Sequence, residues 1–177
     1  EQAIRDAITS FSTNNLERFG NRLRYSRFVR TLDNIAIGSI LNNDASLKLQ
    51  QRIVPNIQRS EKVILSFNNE IRPSSLDTTS FTFQGFTSYL DDDGQGNIRI
   101  YRFDESRQKI IIQDKSGTID YETGSIEVES FAPTDYAGIE LYITVIPEKL
   151  DIIPIREQIL IMDENDPRIV KNKEKSS

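Results

Sequence analysis

The densest group of potential ligand side chains is Asp91-Asp92-Asp93-Gly94-Gln95-Gly96-Asn97. Clustered carboxylates and carbonyls suit a hard cation such as calcium. The EF-hand frame fails, however: with Asp91 in its first position, Arg102 falls where a bidentate Glu is required. The run also carries two glycines and an asparagine, which makes it a strong turn signal between two strands. A solvated hairpin turn is therefore expected, with no metal assigned. Other carboxylates come in pairs: Asp104 with Glu105, Asp120 with Glu122, and Glu127 with Glu129. A glycosidase needs two carboxyls roughly 5–9 Å apart across a cleft. Glu127 and Glu129 share one side of a strand, but the regular alternation around them predicts a solvent face.

Five arginines, Arg18, Arg22, Arg24, Arg27 and Arg30, lie close together with no Lys among them. Arg is enriched at interfaces, so they form either a docking surface for an acidic partner or a solvated, locally paired face. A phosphate patch fits less well with a net charge of −5. Ile4, Ile8 and Phe11 recur at helical spacing, in a helix that packs on this domain or is shared with another chain. Ile4, Ile8, Phe11, Arg22, Arg24, Arg27 and Arg30 together are the expected partner interface. Phe81, Phe83, Phe86 and Tyr89 are read as core rather than as a stacking platform for a sugar.

Several chemistries are excluded outright. The sequence has neither Cys nor His. Thiolate metal sites, disulfides, histidine general bases and the Ser-His-Asp triad cannot be built from it. The acidic charge gives little counterion release, so nucleic acid is a poor partner. No run of about 18 apolar residues is present, so no spanning helix is expected. No catalytic residue or cofactor is assigned, and the chain is expected not to be an enzyme. It opens at Glu1 within an apolar helical pattern, and its one methionine is Met162. A fragment of a longer protein is therefore expected.

The elements that must carry these residues follow from periodicity. Residues 4–11 read as a short helix, 22–25 as a strand, and 26–34 as a second helix capped by Ser26. Residues 35–41 and 47–53 read as a hairpin closed by Pro55. Beyond that point the pattern is almost wholly β. A strand is expected at 62–67, an alternating stretch from Phe81, and another from Ile98 to Phe103. A three-strand meander follows, at 109–113, 118–121 and 125–131, with turns at 114–117 and 122–124. Further strands are expected at 139–145 and 155–162. The fold class is therefore read as α+β: a helix-strand-helix-hairpin lobe followed by a mainly antiparallel β lobe. The lobes occupy 1–60 and 61–165, and 166–177 is a tail.

Two stretches carry a resemblance. Phe19-Gly20-Asn21-Arg22-Leu23-Arg24-Tyr25-Ser26-Arg27-Phe28, with Thr31-Leu32-Asp33-Asn34, resembles the inner-ring baseplate wedge proteins of T-even-type contractile-tailed phages. It is more distantly similar to the baseplate J-like group. Gly117-Thr118-Ile119-Asp120-Tyr121-Glu122-Thr123-Gly124-Ser125-Ile126 is similar to segments of the same proteins. The likeness spans about residues 1–131. It implies a structural virion component of the tail baseplate, assembled in the host cytoplasm. The component would form a homo-oligomer, a dimer within a ring, and dock other wedge subunits; it would bind neither nucleic acid nor membrane. From the residues alone, a non-catalytic ligand- or glycan-binding module is the alternative, and a carboxylate-dependent hydrolase a further one.

Overall fold

The computed structural model describes residues 2–11, 23–35, 47–57, 59–149, 151–152 and 159–161. Val, Ile, Phe and Tyr alternate with polar residues through most of this span, and alternation builds half-buried strands. Thirteen strands and two helices result. The helices are α1 (Gln2–Phe11) and α2 (Tyr25–Ile35), separated by the short β1 (Leu23–Arg24). The strands β2 (Lys48–Ile53), β3 (Glu61–Ser66), β4 (Asp77–Thr78), β5 (Phe81–Phe83) and β6 (Phe86–Asp92) follow. Next are β7 (Asn97–Phe103), β8 (Lys109–Asp120), β9 (Ser125–Phe131) and β10 (Asp135–Tyr136). The last are β11 (Leu141–Val145), β12 (Asp151–Ile152) and β13 (Ile159–Ile161).

A seven-stranded antiparallel sheet runs in the order β10-β5-β6-β7-β8-β9-β3, and a four-stranded one in the order β13-β2-β11-β4. One of the two curls into a half-barrel. Buried side chains from both sheets form one apolar cluster, including Leu49, Leu90, Ile98, Ile126, Leu141 and Ile143. Phe81 and Phe131 meet edge to face in it, with ring centroids 5.1 Å apart.

The α+β expectation is overturned: strands make up 52% and helix 10% of the structure, and among the described residues α1, β1 and α2 do not join β2 in a separate helix-strand-helix-hairpin lobe. The reason is long-range pairing. β1 pairs with β12, opposite Asp151 and Ile152. β2 sits between β11 and β13, with Leu49 opposite both Val145 and Leu160. The alternation of β2 is thus satisfied by strands from the far end of the sequence. Its expected hairpin partner at 35–41 lies outside the described residues except for Ile35, which ends α2.

The meander also needs correction. Residues 114–117 do not reverse the chain; β8 runs continuously from Lys109 to Asp120. Its pairing with β7 places Ile98 opposite Gly117 but Ile100 opposite Gln113. Two steps along β7 therefore match four along β8, so the extra residues bulge and bend the strand. Gly117 allows the bend. A Cβ built there would lie 2.0 Å from the Glu127 carbonyl oxygen and 2.8 Å from the Val128 Cα. At the other end of the chain, the strand expected from residue 139 begins at Leu141, leaving Ile139 exposed.

Candidate assembly surface

The hairpin between β6 and β7 uses each of its three aspartates differently. Asp92 is 3% exposed. Its Oδ1 accepts the Leu76 amide at 2.9 Å, and its Oδ2 accepts the Ser74 amide at 2.6 Å and the Tyr121 hydroxyl at 2.7 Å. It therefore clamps the 72–76 connection. Asp93 closes the turn: Oδ1 accepts the amides of Gln95 and Asn97, and Oδ2 accepts the Asn97 side-chain amide at 2.6 Å. These bonds, led by Asn97, hold its carboxyl below the usual range. Asp91 turns to the opposite face, because side chains alternate along a strand. There it receives Arg99 Nε at 3.1 Å, Arg99 Nη2 at 2.7 Å and Lys109 Nζ at 2.7 Å. These oxygens are occupied by N–H and O–H donors, and no group of three acidic side chains among the described residues is placed to hold a metal.

The outer face of β6, β7 and β8 carries an aromatic stripe beside this ion cluster. Tyr89 stacks on Tyr101 at 5.5 Å, and Phe103 meets both rings edge to face at 5.8 and 5.5 Å. Lys109 Nζ lies 3.9 Å from the Tyr101 ring centroid, so one ammonium serves both Asp91 and the ring. Burial, with Asp77 and Asp91 nearby, pushes the Tyr101 phenol up to about 12. Its double hydrogen bond to the Asp91 carboxylate raises the Arg99 guanidinium above its ordinary value.

Toward the far end of the same three strands, both faces become apolar and exposed. Register places Arg102 opposite Ile110, Tyr101 opposite Ile111 and Phe103 opposite Lys109. Phe86 and Phe103 are each 47% exposed, and Ile110 and Ile111 each 38%. The Arg102 guanidinium covers the Phe86 ring at 4.5 Å. Phe86 and Ile110 share one face of the sheet; Phe103 and Ile111 share the other. Exposed apolar patches on both faces of a strand end are a signature of an interaction surface.

The expected interface residues fall elsewhere. Arg22 lies outside the described residues, and Ile4, Ile8 and Arg24 are described by backbone alone, on α1 and β1. Phe11 is buried, its ring 5.1 Å from that of Phe28 on α2. Arg27 and Arg30 are exposed on α2. Glu127 and Glu129 gather around Lys62 Nζ, at 2.5 and 3.4 Å. Lys62 holds the Glu127 carboxyl below its usual value. Asp120 is spent on the turn after β8, accepting the amides of Glu122 and Thr123. A shallow polar depression of about 390 Å³ is lined by Asn68, Asn69, Glu70, Glu122, Thr123 and Lys149. Within it Lys149 Nζ neutralises Glu70 at 2.5 Å. Of the aromatics expected in the core, Phe81 is buried, whereas Phe86 is nearly half exposed. Sequence reading missed Phe103, Ile110 and Ile111. The signal was the run Ile110-Ile111-Ile112, which places apolar side chains on both faces of one strand.

A scan against family models gives no match, and no curated protein matches the sequence significantly.

Proposed function

We propose that this chain is a structural, non-catalytic subunit of a contractile-tail baseplate wedge, which associates with its own copies and docks other wedge subunits. One observation carries the assembly part: Phe86, Phe103, Ile110 and Ile111 stand exposed on both faces of the β6–β8 end. Burying such side chains against a neighbour supplies about 25 cal/mol for each Å² of apolar surface removed from water. The wedge assignment rests on the resemblance of residues 19–34 and 117–126. A ring that re-angles needs subunits rigid enough to pivot as bodies. Sheets stitched from both ends of the chain suit that need.

Solution mass tests the reading. Light scattering on the purified chain at micromolar concentration is expected to give a dimer or larger, and a monomer would remove the self-association. A glycan-binding module is the second reading, favoured by the partly exposed Tyr89 and Phe103 rings beside Asp91 and Lys109. Saturable glycan binding by a monomer, abolished in Tyr89→Ala, would replace assembly with that reading.

A further inference from the structure

We infer that the polar depression at the turn from β8 into β9 is a saccharide site, which grips one sugar ring by two neighbouring hydroxyl groups. It does not rest on the assembly reading. β8 runs from the exposed apolar end at Lys109 to this turn after Asp120, so the two surfaces lie at opposite ends of one strand.

Three segments form the depression, and backbone hydrogen bonds fix all of them. Phe67 donates its amide to the Gly124 carbonyl at 2.8 Å, and Ile71 donates to the Tyr121 carbonyl at 2.8 Å. The 68–70 connection is thereby held at both ends against the 122–123 turn. Glu148 donates to the Glu70 carbonyl at 2.9 Å, which sets Lys149 beside them. Gly124 closes the joint: a Cβ there would lie 2.3 Å from the Asn69 carbonyl oxygen. The walls are therefore preformed. Their space of about 390 Å³ falls in the range of small-molecule sites, roughly 300–1,000 Å³.

Asn68 and Asn69 supply the recognition, because each amide is anchored at one end and free at the other. Asn68 Oδ1 accepts the Ser66 hydroxyl at 2.8 Å, which leaves its Nδ2 as a donor. Asn69 Nδ2 donates to the Phe67 carbonyl at 2.8 Å, which leaves its Oδ1 as an acceptor. Neither free end has a partner among the described residues. A donor beside an acceptor matches two adjacent hydroxyls, one accepting and the other donating. Asn68 also holds a left-handed backbone, with φ at +47°, where glycine is the usual residue. An amide is thus kept at a position that favours having no side chain.

The rest of the lining sets the class of ligand. Glu70 and Glu122 bring two carboxylates against the one ammonium of Lys149, which already pairs with Glu70 at 2.5 Å. An anion is repelled. Among the described residues no group of three acidic side chains is placed to hold a metal. The lining includes no apolar side chain, so a hydrocarbon ligand would gain no burial there. What fits is uncharged and dense in hydroxyls, each of which both donates and accepts. The Glu122 carboxylate is available to accept from a third hydroxyl.

Proton–nitrogen NMR of the chain, titrated separately with the methyl α-glycosides of glucose, galactose and mannose, tests the site. Saturable millimolar shifts at Asn68, Asn69 and Thr123 are expected with at least one of them. Asn68→Gly keeps the left-handed backbone and removes the amide. It is expected to weaken binding at least tenfold, with resonances away from the depression unmoved, whereas Tyr89→Ala leaves the affinity as it was. No saturable shift with any of the three glycosides overturns the site, and so does undiminished affinity in Asn68→Gly. Shifts confined to Tyr89 and Tyr101 also overturn it and place glycan binding on the aromatic rings. Methylammonium chloride binding more tightly than every glycoside would make Glu122 a cation subsite and overturn the saccharide.

Discussion

The Tyr121 hydroxyl donates to Asp92 Oδ2 at 2.7 Å and accepts the Gly96 amide at 3.2 Å. One phenol thereby joins the turn after β8 to the turn after β6. Asp92 extends the link to the 72–76 connection through Ser74 and Leu76. Three loops from separate parts of the chain thus converge on a single carboxylate. Removing it leaves several buried donors unsatisfied at once. Asp92→Ala is expected to cost on the order of 3 kcal/mol, the range for breaking a buried charged hydrogen-bond network. Urea denaturation measures it, and a loss below about 1 kcal/mol would show that water replaces the carboxylate.

The same phenol makes stability depend on alkaline pH. Burial first, then the hydrogen bond to Asp92, pushes Tyr121 up to about 12, and burial does the same to Tyr101. A phenol ionises near 10 in the unfolded chain. The folded state therefore binds more protons above pH 10, and stability falls as pH rises. The contribution is fully present below about pH 10 and is lost as pH climbs toward 12. Denaturation midpoints across this window are expected to fall, and Tyr121→Phe to reduce the slope. Absorbance at 295 nm is expected to show a late-titrating component near pH 12 that moves to about 10 in urea.

Asp91 is central to a different cluster, and its partners are unequal. Its side chain is 11% exposed, that of Arg99 24% and that of Lys109 42%. Removing the most buried member strands the other two. Asp91→Ala is expected to cost about 2 kcal/mol, since it leaves a guanidinium and an ammonium without their counter-ion. Lys109→Ala removes a more exposed partner while the bidentate Arg99 contact remains, so its cost is expected to be under about 1 kcal/mol. A double-mutant cycle between Asp91 and Arg99 checks the coupling, and an additive result would rule out the assigned pair.

How far these features could be read from the sequence follows from distance along the chain. The β6–β7 hairpin was legible because its alternation and its Asp-Gly-rich turn are adjacent. So was the β8–β9 turn, where Asp120 and Gly124 lie four residues apart. The clamp at Asp92 was not, because its partners are backbone amides at 74 and 76 and a hydroxyl at 121. Only folding brings those together. β2 was assigned correctly as a strand, but its pairing with β11 and β13 from the far end of the chain was not legible, since apolar alternation encodes a face and not a neighbour. The exposed β6–β8 end was misread for the opposite reason: Phe86 looks the same in sequence whether a second sheet covers it or not.

Asp114-Lys115-Ser116-Gly117 misled most plainly, because its composition is that of a turn while its structure is a bulge. The glycine decides the outcome. β8 can continue only if its backbone crosses close to that of β9 at Glu127 and Val128, and there is no space for a side chain at the crossing. Gly117→Ala would bring a methyl within 2.0 Å of a backbone oxygen that belongs to the sheet and cannot rotate away. Either the β8–β9 ladder opens or the bulge unwinds. Both outcomes cost hydrogen bonds beside Ile119, Ile126 and Val128, which are buried. The expected loss is about 3 kcal/mol or more, in the range for backbone strain combined with core disruption. Gly85→Ala is the matched control. That glycine has open space at its Cβ and a φ of +82°, so only left-handed strain, about 1 kcal/mol, is expected there. Urea denaturation of the two variants separates steric exclusion from backbone preference, and equal losses would refute the close crossing.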